Sequence, residues 1–595
     1  MKTKFMTSLR LLICALAISV ITPVFGRTNQ PIIKDLGDGN HMLSTQVTNN
    51  YLLLPIQESA PESTMQLLIN NHQVERHTIR LAIDKIDYFV PVNLKEYQDK
   101  HLVVRFLHAP TTSLSWDNIK LSDTFDKTNK EKTWRPIYHF TPNHGWMNDP
   151  NGMFYNKGVY HLYYQYNPYS SVWGNMHWGH ATSTDLCHWK QLPIAIFPDD
   201  MGTIFSGSCV VDHNNTSGLG VGTIFAFYTS AGVRQKQCMA YSTDEGMTFT
   251  KYEKNPIVTS TATDFRDPKV VWYAPEKKWI MLVATGQYIS FYTSKNLKDW
   301  TYSSQFGFGE GSHAGVWECP DLIELPIQGS KKTKWVLLVS INPGGPFGGS
   351  ATQYFVGQFD GSEYINDSST KTKWLDYGKD HYATVTWNNA PNHRVIALSW
   401  MSNWEYGIRV PTEQYRSAMT VPRTLSLFSQ DEDYYVSNSP VEELSKIREQ
   451  KKDFGWIPIN HTRTEELPIN KGAYELILSI KPNQTKDISF TLNNKEGEKV
   501  IFTYQFEKGK FSIDRCFSGI VDFSDKFATV TSVAISKATT YTLHLYVDKA
   551  SVETFDGEGR WSMTNLVFPK SPYTHLSFDA ADSNYRVHPI YYTLN

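Results

Sequence analysis

The chain has little net charge, few cysteines and, beyond its first residues, no long apolar run. Lys and Arg number 57 against 59 Asp and Glu in 595 residues, a formal charge of -2. That balance excludes a duplex nucleic-acid binder held by phosphate contacts. Only six cysteines are present, dispersed, with no C-x-x-C pair. This excludes a disulfide framework and a thiolate zinc site. Charged residues make up only 19%, while aromatics reach 14%. Rings with apolar faces and polar edges suit neutral polar ligands. The apolar content of 41% supports large cores, and the length fits two to four domains of roughly 100–200 residues.

The one uncharged apolar stretch runs from Leu11 to Val24. It follows Lys2, Lys4 and Arg10, and the small residues Val24, at its end, and Gly26 suit a cleavage site before Arg27. Residues 1–26 are expected to be a signal peptide. The stretch is too short to cross a bilayer, which takes about 20 residues. The protein is therefore expected to be exported, to the periplasm, the cell surface or the medium, with no membrane span. His177 and His180 read as structural, hydrogen-bonded histidines. Gly344 to Gly349 lacks the Lys-Ser/Thr of a phosphate loop and reads as a tight loop beside a site.

What is abundant is the strand signal. Short runs rich in Val, Ile, Tyr, Phe and Thr alternate with Gly, Pro, Asn and Lys turns. The runs repeat. Asp149-Pro150, Phe205-Ser206-Gly207, Asp267-Pro268 and Glu318-Cys319-Pro320 each open a hairpin, and a fifth unit starts at Tyr382. The spacing of roughly 50–60 residues suits propeller blades. A second echo, Ser183 to Trp189, Ser242 to Phe249 and Ser294 to Trp300, marks an outer turn. Residues 135–440 are expected to form a five-bladed β-propeller.

In a propeller, matching repeat positions face one end of the central channel. Asp149, Asp267 and Glu318 should therefore converge. A hairpin centred on Lys157 places Gln165 opposite Asp149. Three carboxylates in one cavity repel and raise at least one pKa, so they need metal or catalysis to account for them. Glycosidic cleavage uses such a pair, one carboxylate ionised and one protonated. Arg266 is expected to help keep Asp267 ionised, and Glu318 to hold the proton.

Trp146 to Gly152, Phe205-Ser206-Gly207, Arg266-Asp267-Pro268 and Trp317-Glu318-Cys319-Pro320 together resemble glycoside hydrolase family 32, the family of invertases, inulinases and levanases. The resemblance extends from about His139 to the C-terminus and includes Tyr546 to Glu553 of a trailing β-sandwich. It implies a retaining double displacement on a β-linked fructofuranosyl unit. Asp149 would be the nucleophile, Glu318 the acid/base and Asp267 the transition-state stabiliser. Asn148, Gln165, Trp173, Ser206 and Trp404 match the residues lining the terminal fructose pocket, with Arg266 beside them. The stretch Trp400 to Tyr406, with Arg416 to Arg423 after it, is similar to secreted fructan hydrolases. No metal or cofactor is implied.

Outside the propeller, residues 27–125 carry strand-like runs, including Thr78–Ala82, and are expected to form an N-terminal β-sandwich-like domain that binds glycan, shapes the pocket rim or acts as a spacer. Asp123 to Lys132 reads as a linker. Val441 to Lys451 reads as a short helical connector, and residues 453–595 as the C-terminal β-sandwich. The expected activity is release of terminal fructose from levan, inulin or their oligomers, with sucrose as a lesser substrate. An endo-levanase or fructosyltransferase on the same fold is the alternative, and a non-catalytic fructan-binding protein ranks last because all three carboxylates are present.

Overall fold

A computed structural model of the chain describes residues 31–125, 133–367, 371–482, 486–580 and 585–595. The expected signal peptide, with Lys2 to Gly26, lies outside the described residues, as does most of the expected linker.

Five sheets occupy residues 145–440, each built on four antiparallel strands, with a short extra strand in all but the third. Their first strands are Gly145–Asn156, Thr203–Asp212, Arg266–Tyr273, Val316–Pro326 and Tyr382–Thr386. Each touches the next, and the fifth returns to the first, closing a ring about an axis. Tyr415–Arg416 pairs in parallel with Gly145–Trp146 and latches the fifth blade to the first. The inner strands are buried on both faces, because each blade packs between two others. Val159–Asn167 is buried from Tyr160 onward without alternation. Trp146, Trp178, Trp317 and Trp400 are all fully buried. Each contributes roughly 3 kcal/mol or more of hydrophobic stabilisation before chain entropy is charged.

The inner strands share a second feature that periodicity does not show. Each carries a β-bulge at its axial end, at Tyr164/Tyr166 with Pro150/Met147, at Ile204/Gly207, Arg266/Lys269, Glu318/Asp321 and Tyr382/Val385. Asp267, Cys319 and Ala383 sit there with φ of 65, 46 and 54°, the left-handed region that L-residues avoid. A bulge adds a residue and re-aims the side chains beside it. In Phe205-Ser206-Gly207 the glycine is obligatory, since a Cβ there would lie 1.9 Å from the Phe227 carbonyl oxygen.

Two further sandwiches flank the ring. In the C-terminal one, a seven-stranded and a six-stranded sheet enclose one core. Its strands alternate, as in Lys499–Gln505, because one face meets the core and the other water. The connector differs from expectation. Only Glu442–Ile447 is helical, as a 3-10 turn, and Arg448–Asp453 is already a strand paired with Tyr585–Leu594. Leu444 and Ile447 are buried nonetheless. At the N-terminus, five-stranded and three-stranded sheets share a core. The strand there is His72–Ile79, so the run read as Thr78–Ala82 was placed too late. Ala82 instead caps a loop, its carbonyl accepting from Ser115 N and Oγ.

The sandwich and propeller are joined by buried charge. Asp548 accepts backbone N–H bonds from Ile137 and Tyr138 and pairs with His139 Nδ1 at 2.9 Å. Glu553 takes His139 Nε2 at 2.8 Å, Val421 N and Arg423. Tyr546 to Glu553 is thus a bolt between domains.

Candidate active site

At the axial end where the bulges lie, one cavity of about 190 Å³ is lined by Asn148, Asp149, Gln165, Trp173, Phe205, Ser206, Arg266, Asp267, Glu318, Asn342 and Trp404. All nine residues singled out from the sequence meet there. Phe205, which opens the Phe205-Ser206-Gly207 motif, and Asn342 also line the cavity and are not among those nine. Below it, the channel shrinks to a void of about 10 Å³ beside Ser208, Lys269 and Thr386. The buried Lys269–Asp321 ion pair, at 2.8 Å, stands at that level. The pocket is therefore blind.

Each carboxylate is held by a neighbouring blade. Asp149, on the first blade, accepts from Ser206 Oγ of the second at 2.6 Å, and from Asn148 Nδ2 at 2.9 Å. Asn148 is oriented in turn by Trp146 Nε1, at 2.8 Å. Asp267, on the third blade, accepts from Cys319 N of the fourth at 3.0 Å, and its own N–H donates to Thr229 of the second. Glu318, on the fourth, accepts from Arg266 Nε of the third at 3.0 Å and from the Tyr382 hydroxyl of the fifth. Gln165 stands across the bulge from Asn148 and Asp149, as the hairpin argument expects, and donates to the Ile204 carbonyl. Cys319 Sγ lies 3.4 Å from Asp149 Oδ2 and 3.6 Å from Asp267 Oδ2.

Burial raises the Asp149 pKa above its ordinary 3.8, and the Glu318 charge adds to the rise. Asp267 is 5% exposed. Burial lifts it to about 7, against the pull of Arg266 and with a push from Glu318 and Asp149. Arg266 acts in the expected direction, favouring the ionised form, but burial outweighs it. The guanidinium faces away, onto Glu318 and Asp264 Oδ1, and its pull does not offset the desolvation. Burial also pushes the Cys319 thiol well up, so it is no thiolate.

The aromatic walls differ. Trp404 stacks on Trp146 with ring centroids 5.8 Å apart. Its segment is braced by the glycine-rich loop: Ser350 Oγ accepts from Trp404 N, and Gly349 packs so close that a Cβ would lie 2.1 Å from Asn403 Oδ1. Trp173 is 45% exposed and meets Phe205 edge-on at 5.9 Å. Among the described residues no group of three His, Cys, Asp or Glu is placed to hold a metal ion. His177 and His180 are buried and lowered to about 3 by that burial, as structural histidines are. The five described cysteines are unpaired.

Three acids drawn from separate blades into a blind, tryptophan-walled pocket define a propeller-borne glycosidase. Comparison with known proteins narrows this. The model of the glycosyl hydrolases family 32 N-terminal domain matches residues 139–440, and that of the family 32 C-terminal domain matches residues 443–591. The chain belongs to glycoside hydrolase family 32. Residues 37–138 match a domain of unknown function, DUF4980. A levanase of Bacillus subtilis is 44% identical over 480 residues, 78% of this chain and 71% of that one. An extracellular exo-inulinase of Aspergillus awamori is 36% identical over 509 residues, 75% of this chain and 92% of its own. The crystal structure of that species' exo-inulinase superposes with a TM-score of 0.73 at 33% identity, covering 78% of this chain and 99% of that one. A fructofuranosidase from Schwanniomyces occidentalis, complexed with fructose, gives 0.72 at 34% identity over 79% and 99%.

Proposed function

We propose that the protein is an exported, exo-acting β-fructosidase that removes terminal fructofuranosyl units from fructans. The blind pocket supports this reading most directly. A cavity plugged beneath and walled by Trp173 and Trp404 admits a chain end, whereas internal cleavage calls for an open groove. The relatives named levanase and exo-inulinase point to the substrate class.

In this reading Asp149 is the nucleophile. Ser206 and Asn148 each hold one of its oxygens and aim it. Its attack on the anomeric C2 forms an ester to the sugar and breaks the glycosidic C–O bond, while Glu318 delivers a proton to the departing oxygen. Glu318 then takes a proton from water, which displaces Asp149 and releases fructose. Asp267 binds sugar hydroxyls and strengthens its hold as positive charge develops on the ring. Gln165 and Asn342 offer amides to the remaining hydroxyls, and the indoles cover the ring's apolar edges.

Chromatography of early products from levan and inulin tests the proposal. Fructose appearing first, before oligomers, is expected. Oligomers appearing first would make the enzyme endo-acting, and absence of fructose release would overturn the assignment.

A further inference from the structure

The N-terminal sandwich touches the propeller where the segment between the first blade's second and third strands carries Trp173 to the pocket. That segment, residues 168–176, has no strand of its own. It is gripped on both sides of Trp173. Before it, the Tyr169 hydroxyl donates to Glu75 Oε2 at 2.7 Å. Ser171 N donates to the Tyr88 hydroxyl at 2.9 Å and to Glu58 Oε1 at 3.1 Å, and Ser171 Oγ also donates to Glu58. After it, Asn175 imitates a strand partner. Its Oδ1 accepts from Thr78 N at 3.0 Å, and its Nδ2 donates to Thr78 O at 2.8 Å. The His177 ring packs on His77 at 5.2 Å.

Glu58 does more than hold the segment. Its other oxygen accepts from Arg416 at 2.8 Å, and Arg416 also donates to the Ser171 carbonyl at 3.0 Å. Arg416 lies on the strand paired with Gly145–Trp146, just ahead of Asn148 and Asp149. One carboxylate of the N-terminal domain thus ties the rim segment to the strand that carries the acid at the pocket floor. Tyr88, Tyr169 and Ser171 are at most 4% exposed, so water does not compete for these bonds. Withdrawing most of a carboxylate and a guanidinium from water costs desolvation, which a mere spacer has no need to incur.

We infer that the N-terminal sandwich is a positioning module, which through Glu58, Glu75 and Thr78 sets the orientation of Trp173 at the substrate pocket. The inference rests on the reading of that pocket given above. An exposed indole has little packing to fix it, so its placement is inherited from the backbone that bears it. Small displacements at a positioning residue carry large kinetic effects.

The test is a double-mutant cycle in the full-length protein with Glu58→Gln, Trp173→Ala and their combination, read by steady-state kinetics on a short fructo-oligosaccharide. Glu58→Gln is expected to raise KM roughly tenfold with kcat nearly kept. The combination should cost no more than Trp173→Ala alone, because Glu58 acts through Trp173. Hydrogen exchange should quicken in residues 168–176 and, within the propeller, otherwise only around Arg416 and its partner strand. Additive effects, or unchanged exchange in that segment, would overturn the inference. If Glu58→Gln does not fold, Glu75→Gln tests the other anchor in the same way. The exchange measurement needs no substrate, so a wild type that released no fructose would sink the pocket reading and leave the clamp still on trial.

Discussion

Arg266 Nε stands 3.0 Å from Glu318 Oε1, while the same guanidinium reaches Asp264 Oδ1 at 2.6 Å. The cation that sequence places beside Asp267 spends its hydrogen bonds on the carboxylate of the next blade and on Asp264. Two partners in two directions require a planar fork, which lysine lacks. Arg266→Lys is expected to lower kcat/KM by roughly ten- to a hundredfold through misplacement of Glu318. Fructose release by the purified variant decides this, and a rate equal to wild type would count against the pairing.

Asp149→Ala should leave no measurable turnover, since nothing else can form the covalent bond. Glu318→Gln keeps the shape and removes the transferable proton, so a loss of roughly 10²- to 10⁴-fold in kcat is expected. Retention of full activity by either variant would refute the assigned roles.

The acid side of the pH profile should reflect Asp149. Its pKa is raised by burial and by the Glu318 charge, and a nucleophile must be ionised. Activity should therefore fall, as pH drops, at a point above the ordinary 3.8 of an aspartate. In Glu318→Gln the residual activity should keep its acid limb at lower pH, because one source of the rise is gone. Plots of kcat/KM against pH measure both.

Asp267 should cost stability. Its folded pKa of about 7 exceeds the ordinary 3.8, so between those values the unfolded chain ionises and the native state keeps the proton. Native stability falls as pH rises through that window, and the full cost is present above it. Asp267→Asn is expected to raise Tm near neutral pH and to confer nothing at strongly acid pH. Activity should drop in the same variant. Thermal unfolding at both pH values reads the difference.

The interdomain bolt gives the same slope at higher pH, as a stabilisation lost and not a cost incurred. Burial alone would lower His139, but bonds to Asp548 and Glu553 outweigh it and raise the pKa from 6.5 to about 9. Its contribution is complete below 6.5 and disappears as pH rises through about 9. Glu553→Gln leaves His139 and Arg423 short of a charge, at a cost of about 3–5 kcal/mol. Urea denaturation near neutral pH should show that loss.

Much of the site was legible because its residues sit at repeat positions. Asp149, Asp267 and Glu318 each open a blade, and the hairpin around Lys157 placed Gln165 correctly. Tyr382, Phe205, Asn342 and Cys319 were not singled out as site residues. Tyr382 was visible only as the start of the fifth blade, yet its hydroxyl meets Glu318 across 64 positions of sequence. The fate of Arg266 was hidden for the same reason. Adjacent residues on a bulged strand need not face the same way.

Sequence by itself determined the blade repeat, the three acids and the flanking sandwiches, because pleat alternation, turn chemistry and acidic motifs are local properties of a chain. The tertiary structure decided which neighbour holds each carboxylate, how far burial lifts Asp267, and that Glu58 of the first domain grips the segment bearing Trp173. Those depend on distances between blades and on the water they exclude, which arise only when strands far apart in the chain close into a ring.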